Sequence, residues 1–258
     1  KYSKATEDVD AVRYQAREEI AMEKMLEEQG CMAFTNTFQN LYGMKQLPGL
    51  ATQRLMEKGY GYGGEGDWKV SAMTHILKAM GEGQGGGSAF MEDYTYDLTP
   101  GQELSLGAHM LEVCPSIAAD KPRIEVHPLG IGDREDPARL VFEGKEGVAI
   151  VVSLVDMGGR MRLIVQDIEC VKSTYTMPNL PVARVMWRPE PSLIKGAEAR
   201  IIAGGAHHKV LSHDGDAEQM QDWARQMAIE CVNNGNEPNP AKLEHEIFLS
   251  EFTWKQQR

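Results

Sequence analysis

Two glutamates and several histidines stand in settings that are unusual for surface charges. Glu65 lies inside a glycine-rich stretch, and Glu92 lies between apolar and aromatic residues in FMEDYTYDL. His109 occupies a small and apolar run that predicts a buried strand. His207 and His208 follow two glycines at the predicted end of a strand, where only one of the two can face a given pocket. Mixed carboxylate and imidazole ligands suit Mn²⁺, Co²⁺ or Mg²⁺, so the pattern predicts a divalent metal site if the chain brings these groups together.

The glycine-rich stretch GYGYGGEGDWK allows a second interpretation. Gly61, Gly63 and Gly66 match the G-x-G-x-x-G spacing of dinucleotide-binding loops, which requires a strand before the glycines and a helix after them. The preceding residues LATQRLMEK are typical of a helix, and Glu65 would lie against the phosphates. Because glycine tolerates positive φ and close backbone approach, the loop is better explained as presenting Glu65 to a pocket than as binding phosphate, and a solvated loop charge stays the alternative for Glu65. A nucleotide-binding oxidoreductase stays a rival function at this point.

Composition excludes some classes of partner. The chain has 258 residues and a formal net charge of −11, which argues against nucleic acid because its phosphates would be repelled. The sequence contains no run of eighteen apolar residues, so it predicts no transmembrane helix, and no signal peptide is visible. The four cysteines are far apart and form no C-x-x-C pair, which predicts buried free thiols in a reducing compartment, the cytoplasm: Cys31, Cys114, Cys170 and Cys231.

The N-terminal segment has the rhythm of an α/β domain. A helix is predicted from Thr6 to Gln29 with Gly30 as its stop, and its apolar positions recur at helical spacing: Val9, Val12, Ala16 and Ile20. CMAFT predicts a short buried strand, and a second helix is predicted to end near Gly59. Asp67 is a good N-cap for a third helix that stops at Gly81 and buries four apolar residues: Val70, Met73, Leu77 and Met80.

The stretch GEGQGGGS, residues 81–88, is the strongest break in composition and predicts a boundary between domains at residues 1–84 and 85–258. Beyond it, GVAIVVSLVDMGGRMRLIVQDIEC predicts a hairpin through Gly158–Gly159, and PVARVMW and ARIIAGGAHH predict further strands. A closing helix is predicted from Asp216, with one apolar face: Met220, Ala224, Met227 and Cys231. The predicted fold class is therefore α/β, with an α/β-like first segment followed by a mostly antiparallel β-barrel or sandwich and a closing helix.

The other polar candidates have ordinary structural explanations. His75 is predicted on the exposed side of its helix, and His127 in a loop before a proline. His213 and His245 lie in polar surroundings. The charged loop at residues 133–136 is predicted to be a solvated turn, with a cover over the pocket as the alternative.

Five motifs, in order and approximate spacing, resemble the L-arabinose isomerase family: GYGYGGEGDWK, FMEDYTYD, GAHMLEVCPSIA, HPLGIGDREDPARLVF and GGAHH. The resemblance runs over nearly the whole chain and is weakest in the C-terminal EIFLSEFTWKQQR. It implies an α/β central domain and a C-terminal β-barrel domain. It also implies a Mn²⁺-dependent aldose–ketose isomerase, with Co²⁺ or Mg²⁺ as substitutes. The sugars that this resemblance implies are L-arabinose and L-ribulose and, in many members, D-galactose and D-tagatose. The resemblance also implies a homo-oligomer, which is a hexamer in the family.

The resemblance also assigns roles to residues. It implies four metal ligands: Glu65, Glu92, His109 and His208. The two glutamates are also the implied proton-transfer groups, and we expect Glu92 to act mainly as a ligand and Glu65 mainly in proton transfer, with the reverse left open. Phe38 matches an aromatic residue that lines the sugar pocket, and Ile131 matches a second lining residue. His207 is expected to support the ligands from behind or to face outward.

Members of the family are longer, and their N-terminal α/β domain has no counterpart in this sequence. In the family that domain, together with part of a neighbouring subunit, completes the sugar pocket. The alternative to an active isomerase is therefore a metal-binding half-enzyme that turns over no sugar on its own.

Overall fold

Three helices and three short strands form the N-terminal segment. They are, in chain order, β1 (Ser3–Lys4), α1 (Val9–Gln29), β2 (Ala33–Phe34), α2 (Gly49–Glu57), β3 (Gly61–Tyr62) and α3 (Trp68–Met80). Strands β2 and β3 pair in parallel. The structure is a computed structural model that describes residues 1–156, 161–189, 207–215, 218–220, 222–223 and 226. The predicted mixture of helices and strands is confirmed, although β2 is half-buried and not buried.

Six strands of the following segment pair in a closed order. They are β4 (Ser88–Asp97), β5 (Leu104–Ala108), β8 (Gly147–Asp156), β9 (Met161–Val171), β10 (Arg184–Pro189) and β11 (His208–Ser212). The order is β10–β5–β4–β11–β8–β9, and β9 pairs again with β10, which makes a closed barrel. Every one of these pairings is antiparallel. The predicted α/β fold with a mostly antiparallel second segment is therefore confirmed.

A smaller sheet joins residues from both sides of the predicted domain boundary. Strand β1 pairs in parallel with β6 (Arg123–Val126), which pairs antiparallel with β7 (Ala138–Val141). Gln53 of α2 reinforces this junction, because its amide nitrogen donates to the carbonyl oxygens of Val113 at 2.9 Å and Leu140 at 3.1 Å. These buried carbonyls would cost about 1–3 kcal/mol each if they were left unpaired.

Helix α3 forms where the sequence predicts it. Asp67 accepts a hydrogen bond from the backbone nitrogen of Val70 at 3.1 Å, and the helix ends at Gly81. Its buried side packs against β4, β8 and β11, with Val70, Met73 and Leu77 buried as predicted, whereas Met80 is only half-buried. His75 corrects the prediction, since it is half-buried and its Nδ1 lies 3.0 Å from the Gly59 carbonyl oxygen. In the described part of the chain, no helix is both long enough and apolar enough to cross a membrane.

Helix α1 buries a polar face and not the apolar one that its spacing suggested. Val9 is 40% exposed and Ile20 is 67% exposed, whereas Gln15, Glu18 and Glu19 are buried. Distant residues supply the partners for these buried groups: Gln46 for Gln15, and Arg54 and Lys58 for Glu19. The helix begins at Val9 and not at Thr6, because the side chain of Asp8 caps it, and it ends at Gly30 as predicted.

Several predicted features lie partly or wholly outside the described residues. Strands β8 and β9 pair as the hairpin prediction requires, but the turn at Gly158–Gly159 is outside. The predicted strand before the two glycines at 204–205 is outside as well. Of the closing helix, residues 218–220, 222–223 and 226 are described as helical, and Met220 is fully buried. Four residues that the sequence singled out lie outside the described part: Ala224, Met227, Cys231 and His245.

The thiols are partly as predicted. Cys114 and Cys170 are free and buried, and burial raises the pKa of the Cys170 thiol to about 12. Cys31 is free but exposed, so the prediction of a buried thiol was wrong there. It follows Gly30, where the chain leaves the surface end of α1.

The polar face of α1 yields a prediction about pH. Burial raises the pKa of Glu18 to about 8, against 4.5 for the unconstrained group. The protonated carboxyl therefore contributes stability that is fully present below pH 4.5 and is lost as the pH rises through about 8. Glu18→Gln stays neutral, so at pH 8.5 it should raise the free energy of unfolding by up to a few kcal/mol, with little change near pH 4.5.

Glu19→Gln is the matched control on the same helix. Burial acts against the charged form of Glu19, but hydrogen bonds and charges from Arg54 and Lys58 outweigh it and lower the pKa. Neutralising Glu19 should therefore destabilise the protein at neutral pH. Urea unfolding followed by circular dichroism at both pH values checks the pair. Equal stability of wild type and Glu18→Gln at pH 8.5 would show that the Glu18 carboxylate is ionised without cost.

Candidate metal centre

Strand pairing brings three of the four predicted ligands together. Glu92 on β4 lies opposite His208 of β11 and, on its other side, opposite Ala108 of β5. His109 follows Ala108 directly in the chain. One ligand atom from each of Glu92, His109 and His208 lies within 4.8 Å of the other two. We refer to these residues as the three-ligand cluster.

The cluster is buried on one side and open on the other. His109 is 2% exposed, whereas the side chains of Glu92 and His208 are about one-fifth exposed. The Nε2 atom of His109 lies 3.4 Å from Oε2 of Glu92, and Nε2 of His208 lies 4.0 Å from the same oxygen. Two imidazole nitrogens and a carboxylate oxygen are thus gathered within a few ångströms of one another.

The strand positions of the two histidines differ from the prediction. His208 is the first residue of β11 and not the last residue of a strand, because its pairing with Glu92 begins the ladder with β4. His109 lies one residue beyond the end of β5 and not inside it. Both differences place an imidazole where a strand meets a loop.

A second carboxylate, which the sequence analysis missed, orients His109. Glu112 accepts a hydrogen bond from Nδ1 of the His109 ring and another from the Leu111 backbone nitrogen at 3.2 Å. Its other oxygen accepts from the buried hydroxyl of Tyr62 at 3.3 Å. A carboxylate behind a histidine commonly fixes the ring so that its other nitrogen faces a metal. The signal for Glu112 in the sequence was a charge three residues after His109 in an apolar run.

The remaining nitrogen of His109 is the strongest indication of a ligand. Its Nε2 is buried and has no hydrogen-bond partner in the described part of the protein. Buried polar atoms are almost always paired, so one that faces Glu92 and His208 requires an explanation. A bound cation would supply the missing partner, and the residues present therefore fit a divalent metal.

The electrostatic environment also favours a cation. Burial of His109 opposes its protonation, but the negative charge of Glu112 and its hydrogen bond outweigh burial and raise the pKa of His109. Glu92 and Glu65 act in the same direction. The pocket therefore concentrates negative charge beside a buried imidazole, and this charge attracts a divalent ion as well as a proton.

Glu65 lies near the cluster but is not one of the three residues in it. The residue is exposed and lines a pocket together with Phe38, Tyr62, His109 and Glu112. The other linings come from the loop before α2: Asn36, Thr37, Leu41, Leu47 and Pro48. The role of Glu65 as a metal ligand stays a prediction, whereas its position at the pocket is observed.

Packing explains the glycine spacing around Glu65. A Cβ atom at Gly63 would lie 2.5 Å from the Asp67 carbonyl oxygen and 2.6 Å from the Ser71 nitrogen, so only glycine fits against the first turn of α3. Gly66 has φ +85° and donates a hydrogen bond to the Asn36 carbonyl oxygen at 2.9 Å. The loop therefore folds tightly onto α3 while the side chain of Glu65 stays free to face the pocket.

Two more polar residues border the cluster. Nε2 of His207 lies 2.9 Å from Oε1 of Glu92, and His207 is exposed, which agrees with its expected place behind the ligands. Oδ2 of Asp67 lies 3.8 Å from Nδ1 of His208. The sequence identified Asp67 only as a helix cap, and its contact with His208 could not be read from local spacing.

The two predicted sugar-binding residues lie in different surroundings. Phe38 lines the pocket that holds Glu65 and His109. Ile131 is 44% exposed, and its neighbour Gly132 approaches the Phe38 ring, since a Cβ there would lie 3.7 Å from that ring. Both assignments stay predictions.

His127, His213 and the charged loop lie outside the three-ligand cluster. His127 contacts Glu125 at 2.7 Å, and Nδ1 of His213 lies 3.1 Å from the Val148 carbonyl oxygen. Within residues 133–136, the Glu135 nitrogen donates to the Lys45 carbonyl oxygen at 2.9 Å. The loop is thus tied to the segment before α2.

The geometry defines a protein with a candidate carboxylate and imidazole metal site where an α/β segment meets antiparallel strands. Comparison with known families identifies the family. Residues 1–83 match the model of the L-arabinose isomerase central domain, and residues 87–230 match that of the L-arabinose isomerase C-terminal domain. The chain belongs to the L-arabinose isomerase family.

Individual relatives cover the chain almost completely. The chain is 54% identical over 246 residues to L-arabinose isomerase of Geobacillus stearothermophilus. The aligned region covers 95% of this chain and 49% of that protein. The chain is 53% identical over 250 residues to L-arabinose isomerase of Bacillus subtilis, covering 97% of this chain and 50% of that protein. The chain therefore spans about half the length of the curated relatives it matches.

The Glu112 contact generates a prediction about metal affinity. Glu112→Gln keeps the shape of the side chain but removes its negative charge. In the wild type this charge orients His109 and would make the imidazole a better metal ligand. Mn²⁺ affinity, measured by calorimetry, should fall by about 10–100-fold. Glu125→Gln is the matched control, because it alters a carboxylate–imidazole contact with His127 outside the cluster and should leave the affinity unchanged. Equal losses in both variants would contradict the assignment.

Proposed function

We propose that the protein is a metal-dependent aldose–ketose isomerase that interconverts L-arabinose and L-ribulose, and also D-galactose and D-tagatose. The observation that carries the proposal is the buried Nε2 of His109, which has no hydrogen-bond partner among the described residues and faces Glu92 and His208. The identity of the sugar is inferred from the relatives, which are named L-arabinose isomerases. Carboxylate and imidazole ligands together fit Mn²⁺, with Co²⁺ or Mg²⁺ as substitutes.

Isomerisation requires a proton to leave one sugar carbon and return to its neighbour. When bound, the cation acts as a Lewis acid and stabilises negative charge on the substrate oxygens. Glu92, His109 and His208 hold it, with Glu65 as the fourth ligand that the family resemblance implies. A positioned acid or base contributes on the order of 10²–10⁴-fold in rate, and Glu65 at the pocket is available for this work.

The other pocket residues bind and shield the substrate. Phe38 provides an apolar wall that excludes water from one side, and Ile131 extends this wall on the neighbouring loop. Glu112 holds the His109 ring so that its Nε2 faces Glu92 and His208. His207 donates to Glu92 from the exposed side and keeps that carboxylate turned toward the cluster. We further propose that residues 1–84 and 85–258 are two domains whose junction forms the pocket.

A second candidate is a metal-binding half-enzyme that turns over no sugar on its own. The chain spans about half the length of the relatives, so residues that complete the sugar pocket can lie in the part of the relatives that the match does not cover. Ketose formation by this chain alone supports the isomerase. Metal binding without turnover, with activity on adding the N-terminal half of a relative, supports the half-enzyme.

The metal centre is tested by a Mn²⁺ titration of the wild type and His208→Ala at neutral pH. The wild type should bind one ion, and loss of a direct ligand should weaken binding by more than the 10–100-fold that is typical of residues behind the ligands. His213→Ala is the matched control, since it removes an imidazole just beyond the other end of β11. No saturable binding by the wild type would refute the metal centre.

Glu65→Gln separates the two roles of Glu65. If its main role is proton transfer, the variant should bind Mn²⁺ within a few-fold of wild type while ketose formation falls by on the order of 10²-fold or more. Where the chain alone does not turn over sugar, activity is measured after adding the N-terminal half of a relative. Loss of Mn²⁺ binding as severe as in His208→Ala would instead make Glu65 an essential ligand.

A further inference from the structure

A buried ion pair lies directly behind the metal ligands and has no part in the function proposed above. Lys209 and Asp93 are in direct contact, and their side chains are only 1% and 0% exposed. Lys209 follows the ligand His208, and Asp93 follows the ligand Glu92. Because neighbouring residues of a strand point to opposite faces, the pair occupies the face turned away from the cluster.

The pair connects the two strands that carry Glu92 and His208. In the β4–β11 ladder, Lys209 lies opposite Met91, so its side chain reaches diagonally to Asp93. The described ladder begins at His208 and Glu92, which places both ligands at its end. Ends of secondary structure open most easily, and a cross-strand contact one residue from the end opposes that opening.

Asp93 also holds an irregularity in β4. The register between β4 and β5 shifts between Asp93 and Thr95, immediately after Glu92. The hydroxyl of Tyr96, beyond the shift, donates to Oδ2 of Asp93 at 2.9 Å. Bulges of this kind redirect side chains beside functional sites, so the Asp93 carboxylate helps to set the direction in which Glu92 leaves the strand.

The surroundings of Lys209 fix its position as well. Its Nζ lies 5.9 Å from the centre of the Trp187 ring. Gly107 lies opposite Asp93 and packs against the same ring. A residue with a side chain does not fit at position 107, because its Cβ would lie 2.0 Å from the Trp187 ring. On the other side of β11, Oγ of Ser153 donates to the His208 carbonyl oxygen at 2.9 Å. The backbone that carries His208 is therefore tied to both of its neighbouring strands.

We propose that the Asp93–Lys209 ion pair is a positioning device for the metal centre, and this inference rests on the proposed metal site. Buried ion pairs often add little net stability, because desolvation of the charges offsets their attraction. Their better-attested use is to specify one arrangement of the chain. Here that arrangement is the register and bulge that aim Glu92 and His208 at the same point.

The test removes both charges without leaving one buried and unpaired. The double variant Asp93→Asn/Lys209→Met keeps the side-chain volumes, and the new amide oxygen can still accept from Tyr96. Mn²⁺ affinity is measured by calorimetry, thermal stability by circular dichroism, and ligand geometry by the visible absorption of bound Co²⁺. We expect the variant to unfold within a few degrees of wild type, bind Mn²⁺ about ten-fold more weakly and give an altered Co²⁺ spectrum.

Ser88→Ala is the matched control. It removes the buried hydrogen bond of 2.8 Å between Ser88 and Ser212, which joins the same two strands at the other end of the ladder. This variant should lose stability but keep the wild-type Mn²⁺ affinity and Co²⁺ spectrum. If Asp93→Asn/Lys209→Met folds and binds both ions as the wild type does, the positioning inference is wrong while the metal centre stands.

Three further outcomes are decisive. In the first, the double variant and Ser88→Ala both lose Mn²⁺ affinity in proportion to their loss of thermal stability. This result would show that the ion pair is purely structural, and it would overturn the inference. Should the double variant fail to fold, Asp93→Asn alone is compared with Ser88→Ala at matched thermal stability, and equal affinities overturn the inference. A wild type that binds neither ion refutes the metal centre and the inference together.

Discussion

The candidate centre depends on one constraint, the pairing of Glu92 with His208 on one side and Ala108 on the other. This register brings together candidate ligands on two adjacent strands and directly after a third, without any long loop to connect them. A slip of one residue in β4 or β11 would turn a ligand to the opposite face, because side chains alternate along a strand. The geometry of the metal centre is therefore set first by backbone hydrogen bonds and only then by side-chain contacts.

The second constraint is the packing of the α/β segment against this row. Aromatic rings connect the two parts, since Phe90 contacts Tyr62 on one side and the rings of His109 and His208 on the other. The same Tyr62 donates to Glu112, which holds His109. Burial of these groups weakens the competition from water, so the charge of Glu112 acts strongly on the imidazole. The helix-rich segment thus contributes orientation, while the strands contribute the ligands themselves.

Local signals in the sequence predicted local structure well. The Asp67 cap, the buried face of α3 and the Gly30 stop follow from neighbouring residues, and the structure has them. The buried face of α1 could not be found in this way, because its polar groups are paired by residues such as Arg54 far along the chain. For the centre, residue chemistry and family motifs pointed to Glu92, His109 and His208. Glu112 required the fold, since only the turn after β5 brings it under the ring of His109.

The position of Glu65 outside the three-ligand cluster has a chemical rationale. A carboxylate that is bound tightly to a cation shares its lone pairs with the metal and is a weaker base. An isomerase needs both a stable cation and a carboxylate that can accept a proton. Strand pairing fixes Glu92, whereas the glycine loop leaves Glu65 exposed beside the pocket. The close fit of Gly63 against α3 holds that loop in place while its side chain keeps its freedom. Under the proposed function, the rigid strands would hold the metal ligand and the glycine loop would present the base, so each element would meet a different requirement of one reaction.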